Sequence, residues 1–133
     1  MYESILPKVY IDTDLIHQVL WNLLINSLEA MPRGGQIKVM VRKTDLFLRD
    51  AVEIVISDSG IGIPDHELDK IFEPFYTTKT EGTGLGLSVV QRIIDDHGGA
   101  IDAKSKKDKG AAFYIKLPVG NEKLAIQDNL FVG

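Results

Sequence analysis

Leu15, Ile16, Val19, Leu20, Leu23, Leu24, Leu28 and Met31 recur three and four residues apart. That is the period of a helix with one buried face. Asp12, Thr13 or Asp14 can cap its start, because a short polar side chain accepts the free amide hydrogens of a first turn. Pro32-Arg33-Gly34-Gly35 ends it. The period then changes to two. Ile37, Val39 and Val41 alternate with Gln36, Lys38, Met40 and Arg42. After a polar connection from Thr44 to Asp50, Val52, Ile54 and Ile56 alternate with Glu53, Val55 and Ser57. Both runs predict half-buried strands. From Asp58 to Gly84 only a turn of helix around Leu68–Phe72 is expected, and so long an irregular stretch in a compact domain points to function. A second helix from about Leu85 turns Val89, Val90, Ile93 and Ile94 inward and stops at His97-Gly98-Gly99, where His97 suits the negative end of the helix dipole. Strands follow at Ala100–Lys104 and Ala111–Leu117, and a short strand at Val9–Ile11 is expected to join the sheet edge.

Adjacent strands with few helices predict an α+β fold: a two-layer α/β sandwich whose mixed, mostly antiparallel sheet is covered on one face by helices. At 133 residues the chain is one domain's worth, with 1–120 as the domain and 121–133 as a tail, either a short helix or a linker. The net charge of −4 disfavours nucleic acid as a partner. With no cysteine, disulfides, thiolate nucleophiles and thiolate zinc sites are excluded, which suits a cytoplasmic protein. No apolar run approaches the roughly 20 residues of a membrane helix, so no direct membrane contact is expected, and no signal peptide is apparent.

Three stretches carry candidate chemistry. "EGTGLGLSVV", Glu81 to Val90, places Gly82, Gly84 and Gly86 before a helix. It is neither the G-x-G-x-x-G dinucleotide fingerprint nor a P-loop, which needs Lys-Ser/Thr after its last glycine. By itself it fits a hinge as well as an anion site. "DSGIGIP", Asp58 to Pro64, leaves a strand with a carboxylate able to accept from an amino group, glycines that permit close approach, and Ile61 or Ile63 as an apolar wall. By itself a surface turn explains it better. Gln18, Asn22, Asn26 and Glu29 form a stripe on the first helix, rich in amides that serve as hard oxygen ligands for Mg²⁺; by itself an ordinary polar face explains it better.

Their order, with the flanking sequence, resembles the catalytic ATP-binding domain of two-component sensor histidine kinases, in the superfamily shared with gyrase and the ninety-kilodalton chaperones. "QVLWNLLINSLEAM" is similar to the family's N box, "DSGIGIP" to its first glycine box, "IFEPFYTTK" to its F box and "GTGLGL" to its second glycine box. "EAMPRGG" and "PFYTTK" resemble the nitrogen-regulation type most. The resemblance implies a Bergerat-type ATP-binding fold and a site for ATP and Mg²⁺. Asn26 would hold the metal. Asp58 would receive the adenine amine, with Gly60, Gly62 and Ile63 beside the base. Gly82, Thr83, Gly84, Leu85, Gly86 and Leu87 would wrap the phosphates, and Thr77, Thr78 and Lys79 would reach their far end. Asn22 and Lys79 are the implied catalytic residues, and the irregular stretch becomes a lid over the nucleotide. Phe72, Phe75 and Tyr76 either anchor that lid to the core or, as in the family, dock against the acceptor domain.

Two departures matter. Before the last strand's phenylalanine the family often has a hydroxyl that touches the base through water, and here Ala111-Ala112 stand there. The Lys-Tyr pair common after the second N-box asparagine is replaced by Ser27-Leu28-Glu29.

Superfamily hydrolases carry a glutamate at the position of Asn22, which has no basic lone pair to activate water. Phosphoryl transfer to an imidazole nitrogen therefore fits better than hydrolysis. None of His17, His66 and His97 suits the acceptor role, since His66 lies in the lid, His97 at a helix end and His17 on a helix flank. The acceptor is expected on a separate dimerisation domain of the same parent, with a response-regulator receiver downstream and this domain monomeric in isolation. A non-catalytic ATP-sensing module and a serine-kinase relative are the alternatives.

Overall fold

The computed structural model describes residues 9–76 and 86–120. Chain order is α1 (Thr13–Glu29), β1 (Ile37–Leu46), β2 (Arg49–Asp58), α2 (Asp65–Leu68), α3 (Gly86–Asp96), β3 (Ala100–Ser105) and β4 (Ala111–Pro118). The strands form a four-stranded sheet in the order β1-β2-β4-β3. Every neighbouring pair is antiparallel, so the sheet is purely antiparallel among the described residues rather than mixed.

The register makes the sheet two-faced. Val41, Ile54, Ile115 and Ile101 line up across all four strands, and Val39, Ile56, Phe113 and Ala103 form the next row. Against this face α1 brings Ile16, Val19 and Leu23, and α3 brings Val90, Ile93 and Ile94. Leu23, Val90 and Ile94 have no exposed surface at all. Burying side chains of this size contributes about 1.5–3 kcal/mol each, enough to make this interface the source of the helices' stability. The opposite face carries polar groups. Arg42 and Glu53 are cross-strand partners, and Arg42 donates from Nε to Glu53 Oε1 at 2.6 Å. Lys104 Nζ sits 5.2 Å from the centre of the Tyr114 ring.

Three expectations need correction. Residues 9–11 pack beside the core but form no strand. The connection expected at Thr44–Asp50 is mostly ladder: β1 runs to Leu46, β2 starts at Arg49, and the turn is only Phe47 and Leu48. Alternation there is weak because most of these residues are exposed, Leu46 being the buried exception. The helical turn of the long connection comes earlier, at Asp65–Leu68, because Pro64 presets its entry. The last helix is described from Gly86, in line with the expected start at about Leu85, which itself lies outside the described residues.

Candidate functional site

The first helix is fixed at both ends. Its cap is Asp12, whose Oδ1 accepts from the amides of Asp14 at 3.0 Å and Leu15 at 3.1 Å. The Asp12 amide donates to Nε2 of His97 at 3.0 Å. An imidazole nitrogen that accepts carries no proton, so Nδ1 holds it and donates to the Ile93 carbonyl at 2.8 Å. His97 thus ties the end of α3 to the start of α1 through its two ring nitrogens, a link the sequence did not suggest. At the other end of α1, the Ala30 carbonyl accepts from Ile61 at 3.0 Å. Between these anchors the helix carries Asn22 and Asn26, both half-buried, while Gln18 and Glu29 are exposed.

Asp58 ends β2 opposite Ile37. Its Oδ1 accepts from the Gly60 amide at 2.9 Å and the Ala111 amide at 3.3 Å. Oδ2 has no partner among the described residues, which leaves a fixed carboxylate with one oxygen able to accept. The glycines beside it answer to the protein itself. A Cβ on Gly60 would collide with the Ala30 carbonyl, and one on Gly62, at φ +71°, with the Lys106 carbonyl. Both glycines therefore let α1 and the β3–β4 connection close on the loop. Of the two isoleucines, Ile63 packs toward the core and Ile61 points outward.

Two supports are not apparent from the sequence. Ser105 Oγ accepts from the Ile63 amide and donates to the Gly110 carbonyl, both at 2.7 Å. Gly110, at φ +84°, leaves no room for a Cβ beside the Asp58 carbonyl. The available signal is a serine and a glycine bracketing Lys106–Lys109, but only pairing β3 with β4 brings that connection to the loop after β2.

The aromatic residues divide. Phe72 packs edge-on against Phe113, with ring centres 6.4 Å apart at 87°, and anchors the loop. Phe75 is 75% exposed at φ +67°. Burial raises the Tyr76 phenol above its ordinary pKa, and the Glu67 carboxylate nearby adds to the rise. The hydroxyl makes no well-formed hydrogen bond among the described residues. Thr77, Thr78, Lys79, Gly82, Thr83, Gly84 and Leu85 lie outside the described residues. Of the phosphate-side stretch, Gly86 is exposed at the first residue of α3, and Leu87 packs against the core.

No cluster of three or more His, Cys, Asp or Glu side chains suits a metal among the described residues. An amide oxygen such as that of Asn26 instead suits a cation like Mg²⁺, which takes one or two protein oxygens and fills its shell with water and phosphate oxygens. A shallow depression bounded by Asp14, His17, Gln18, Leu20, Trp21 and Leu24 lies along the N-terminal half of α1, away from Asp58. It is an open flank of one helix and does not compete with the Asp58 loop as a binding site.

Residues 11–121 match the family described as histidine kinase-, DNA gyrase B-, and HSP90-like ATPases. The chain belongs to that family. It is 48% identical over 114 residues to the sensor histidine kinase ZraS of Salmonella typhimurium, covering 86% of this chain and 24% of that protein. It is 44% identical over 114 residues to sporulation kinase E of Bacillus subtilis, covering 86% of this chain and 15% of the relative. The chain thus spans a quarter or less of these relatives. Among solved structures, a nucleotide-free catalytic domain of histidine kinase ThkA superposes with a TM-score of 0.75 at 37% identity, over 89% of this chain and 76% of that one. Full-length ShkA in complex with AMPPNP superposes at 0.72 with 28% identity, over 90% of this chain and 25% of that one. The ATPase family carries with it the use of ATP, and the α+β sandwich is the fold of histidine kinase catalytic domains. Among the described residues no helix is long and apolar enough to cross a membrane.

Proposed function

We propose that this domain is the phosphodonor half of a sensor histidine kinase. It binds ATP with Mg²⁺ and gives the γ-phosphoryl group to a histidine on a separate dimerisation domain of its parent. That group then passes to an aspartate of a response-regulator receiver. The observation that carries this reading is Asp58, a carboxylate held by two backbone amides through Oδ1 and left with Oδ2 to accept from an adenine amine.

Ile63 offers the base an apolar side, while Gly60 and Gly62 hold the loop shut around it. Asn26 supplies the carboxamide oxygen for Mg²⁺, which neutralises phosphate charge when bound. The phosphates are assigned to Gly82, Thr83, Gly84, Leu85, Gly86 and Leu87, which lead into α3 in the sequence, and the γ end to Thr77, Thr78 and Lys79. In the transfer, an imidazole nitrogen forms a bond to the γ-phosphorus as the bond to the β–γ bridging oxygen breaks. The electron pair leaves with ADP, and the imidazole proton goes to solvent. Asn22 cannot deprotonate water, so the site orients and neutralises rather than hydrolyses. The reaction belongs in the cytoplasm, where ATP is abundant.

The test is phosphotransfer from labelled ATP to the parent's dimerisation domain supplied in trans. Acid-labile, base-stable label on that domain, absent when this chain is incubated alone, is the expected result. ATP binding with no transfer to any histidine would replace the kinase reading with a nucleotide-sensing one.

A further inference from the structure

One flank of α1 is apolar and exposed. Leu20, Trp21, Leu24 and Leu28 recur three and four residues apart, and Leu24 lies about 160° around the helix from Asn26. Leu20 and Leu24 are half-buried, while Trp21 is 66% and Leu28 56% exposed. The shallow depression bounded by Asp14 at one end and Leu24 at the other runs along this flank for about 15 Å. A lone exposed apolar residue is ordinary on a protein surface. A continuous stripe beside a depression marks a surface that something covers.

The path of the chain points to the cover. After β4 the Val119 amide donates to the Asp50 carbonyl at 2.9 Å. Gly120 then lies so close to the Tyr10 ring that a Cβ there would collide with it. Tyr10 stands two residues before Asp12, the cap of α1. Residues 121–133, which lie outside the described residues, therefore continue from the end of α1 where the depression begins. Asn121 to Lys123 can span about 10 Å, enough to bring Leu124 to the first turn of the helix. From Leu124 to Val132 six of nine residues are apolar, and so short a segment has no core of its own to bury them in. Lys123 is the one cation of 121–133, and Asp14 is an acid at the near end of the depression.

We infer that Leu124–Val132 docks along this flank of α1 and covers Trp21. Residues 121–133 then belong to the domain as its last packed segment, rather than serving as a linker. Apolar burial drives the contact, and the short reach from Gly120 lowers the entropy lost in making it. The inference does not depend on the nucleotide site, which involves the other side of the helix.

Two features of the sequence make the test direct. Trp21 is the only tryptophan, so quenching of its emission by acrylamide reports its cover. Lys123 is the only lysine or arginine after Lys116, so trypsin removes Leu124–Gly133 by a single cut. The 133-residue chain is compared with L124S/I126S/F131S and with W21K. Neither variant alters a core residue, so both should fold. Quenching is expected to be about twofold stronger in L124S/I126S/F131S than in the natural chain, because an indole two-thirds exposed has been uncovered. Cleavage at Lys123 should be about tenfold faster in W21K, as the docked population falls. Both differences should be independent of protein concentration. Equal quenching in the natural chain and L124S/I126S/F131S would overturn the inference, and so would equal cleavage in the natural chain and W21K. Protection of Trp21 that grows with protein concentration would overturn it too, since a second copy would then be the cover.

Discussion

The β1–β2 hairpin closes in two residues, Phe47 and Leu48, whereas the β3–β4 connection spends five, Lys106 to Gly110. They turn at opposite ends of the sheet, because Leu46 pairs with Arg49 at one end and Asp58 with Ile37 at the other. Both use left-handed backbone: Phe47 at φ 50° and Leu48 at φ 64° in the first, Asp108 at 66° and Gly110 at 84° in the second. The first spends that conformation on bulky residues that contact almost nothing, since Leu48 is fully exposed and Phe47 81% exposed. The second spends it on bonds that hold the Asp58 loop. Left-handed backbone thus gives a tight reversal at one end and a bolted carboxylate at the other.

Substitutions can break or sharpen that contrast. Gly62→Ala should have the largest effect, because the residue combines φ +71° with a collision against the Lys106 carbonyl. A loss of about 2–4 kcal/mol is expected from a urea unfolding midpoint. A loss under about 1 kcal/mol would mean the β3–β4 connection yields and does not fix the loop. Ser105→Ala comes next. It strands the Ile63 amide and the Gly110 carbonyl, and about 1–3 kcal/mol should go from stability, together with a measurable weakening of ADP binding. Gly34→Ala is the control at another left-handed position, φ +88° with open space around it, and should cost only about 1 kcal/mol. The smallest effect has the opposite sign. Replacing Phe47-Leu48 by an Asn-Gly pair suits the hand of a two-residue hairpin and should raise stability by about 0.5–1 kcal/mol with ADP affinity unchanged. A change in affinity there would show that the two ends of the sheet communicate.

The same contrast explains what the sequence could tell. The main helices and the alternation of β4 were legible because one face of each must meet the core, and Phe113, Ile115 and Leu117 declare it. Local chemistry was legible too: Asp58 as a possible acceptor and Asn22 and Asn26 on one flank follow from spacing alone. The Phe47-Leu48 turn was not, because it contradicts turn chemistry, and two apolar residues read as strand or loop rather than reversal. Long-range supports were also hidden. Ser105 and Gly110 act on a loop more than forty residues away, and the close approach of Ala30 to Gly60 and of Lys106 to Gly62 is set by the same long-range packing. Spacing along a chain records faces and local geometry; which segments press together is decided by the sheet.

The most direct test of the central claim is calorimetric titration of the natural chain and Asp58→Asn with ADP and Mg²⁺. The carboxamide of that variant keeps an oxygen for the Gly60 and Ala111 amides but turns a donor toward the base, so the fold should survive while recognition fails. Binding by the natural chain that weakens about ten- to a hundredfold in the variant, the scale of a hydrogen bond to a charged acceptor, is the predicted result. Equal affinity in both proteins would contradict the account, because adenine would then be recognised somewhere other than Asp58.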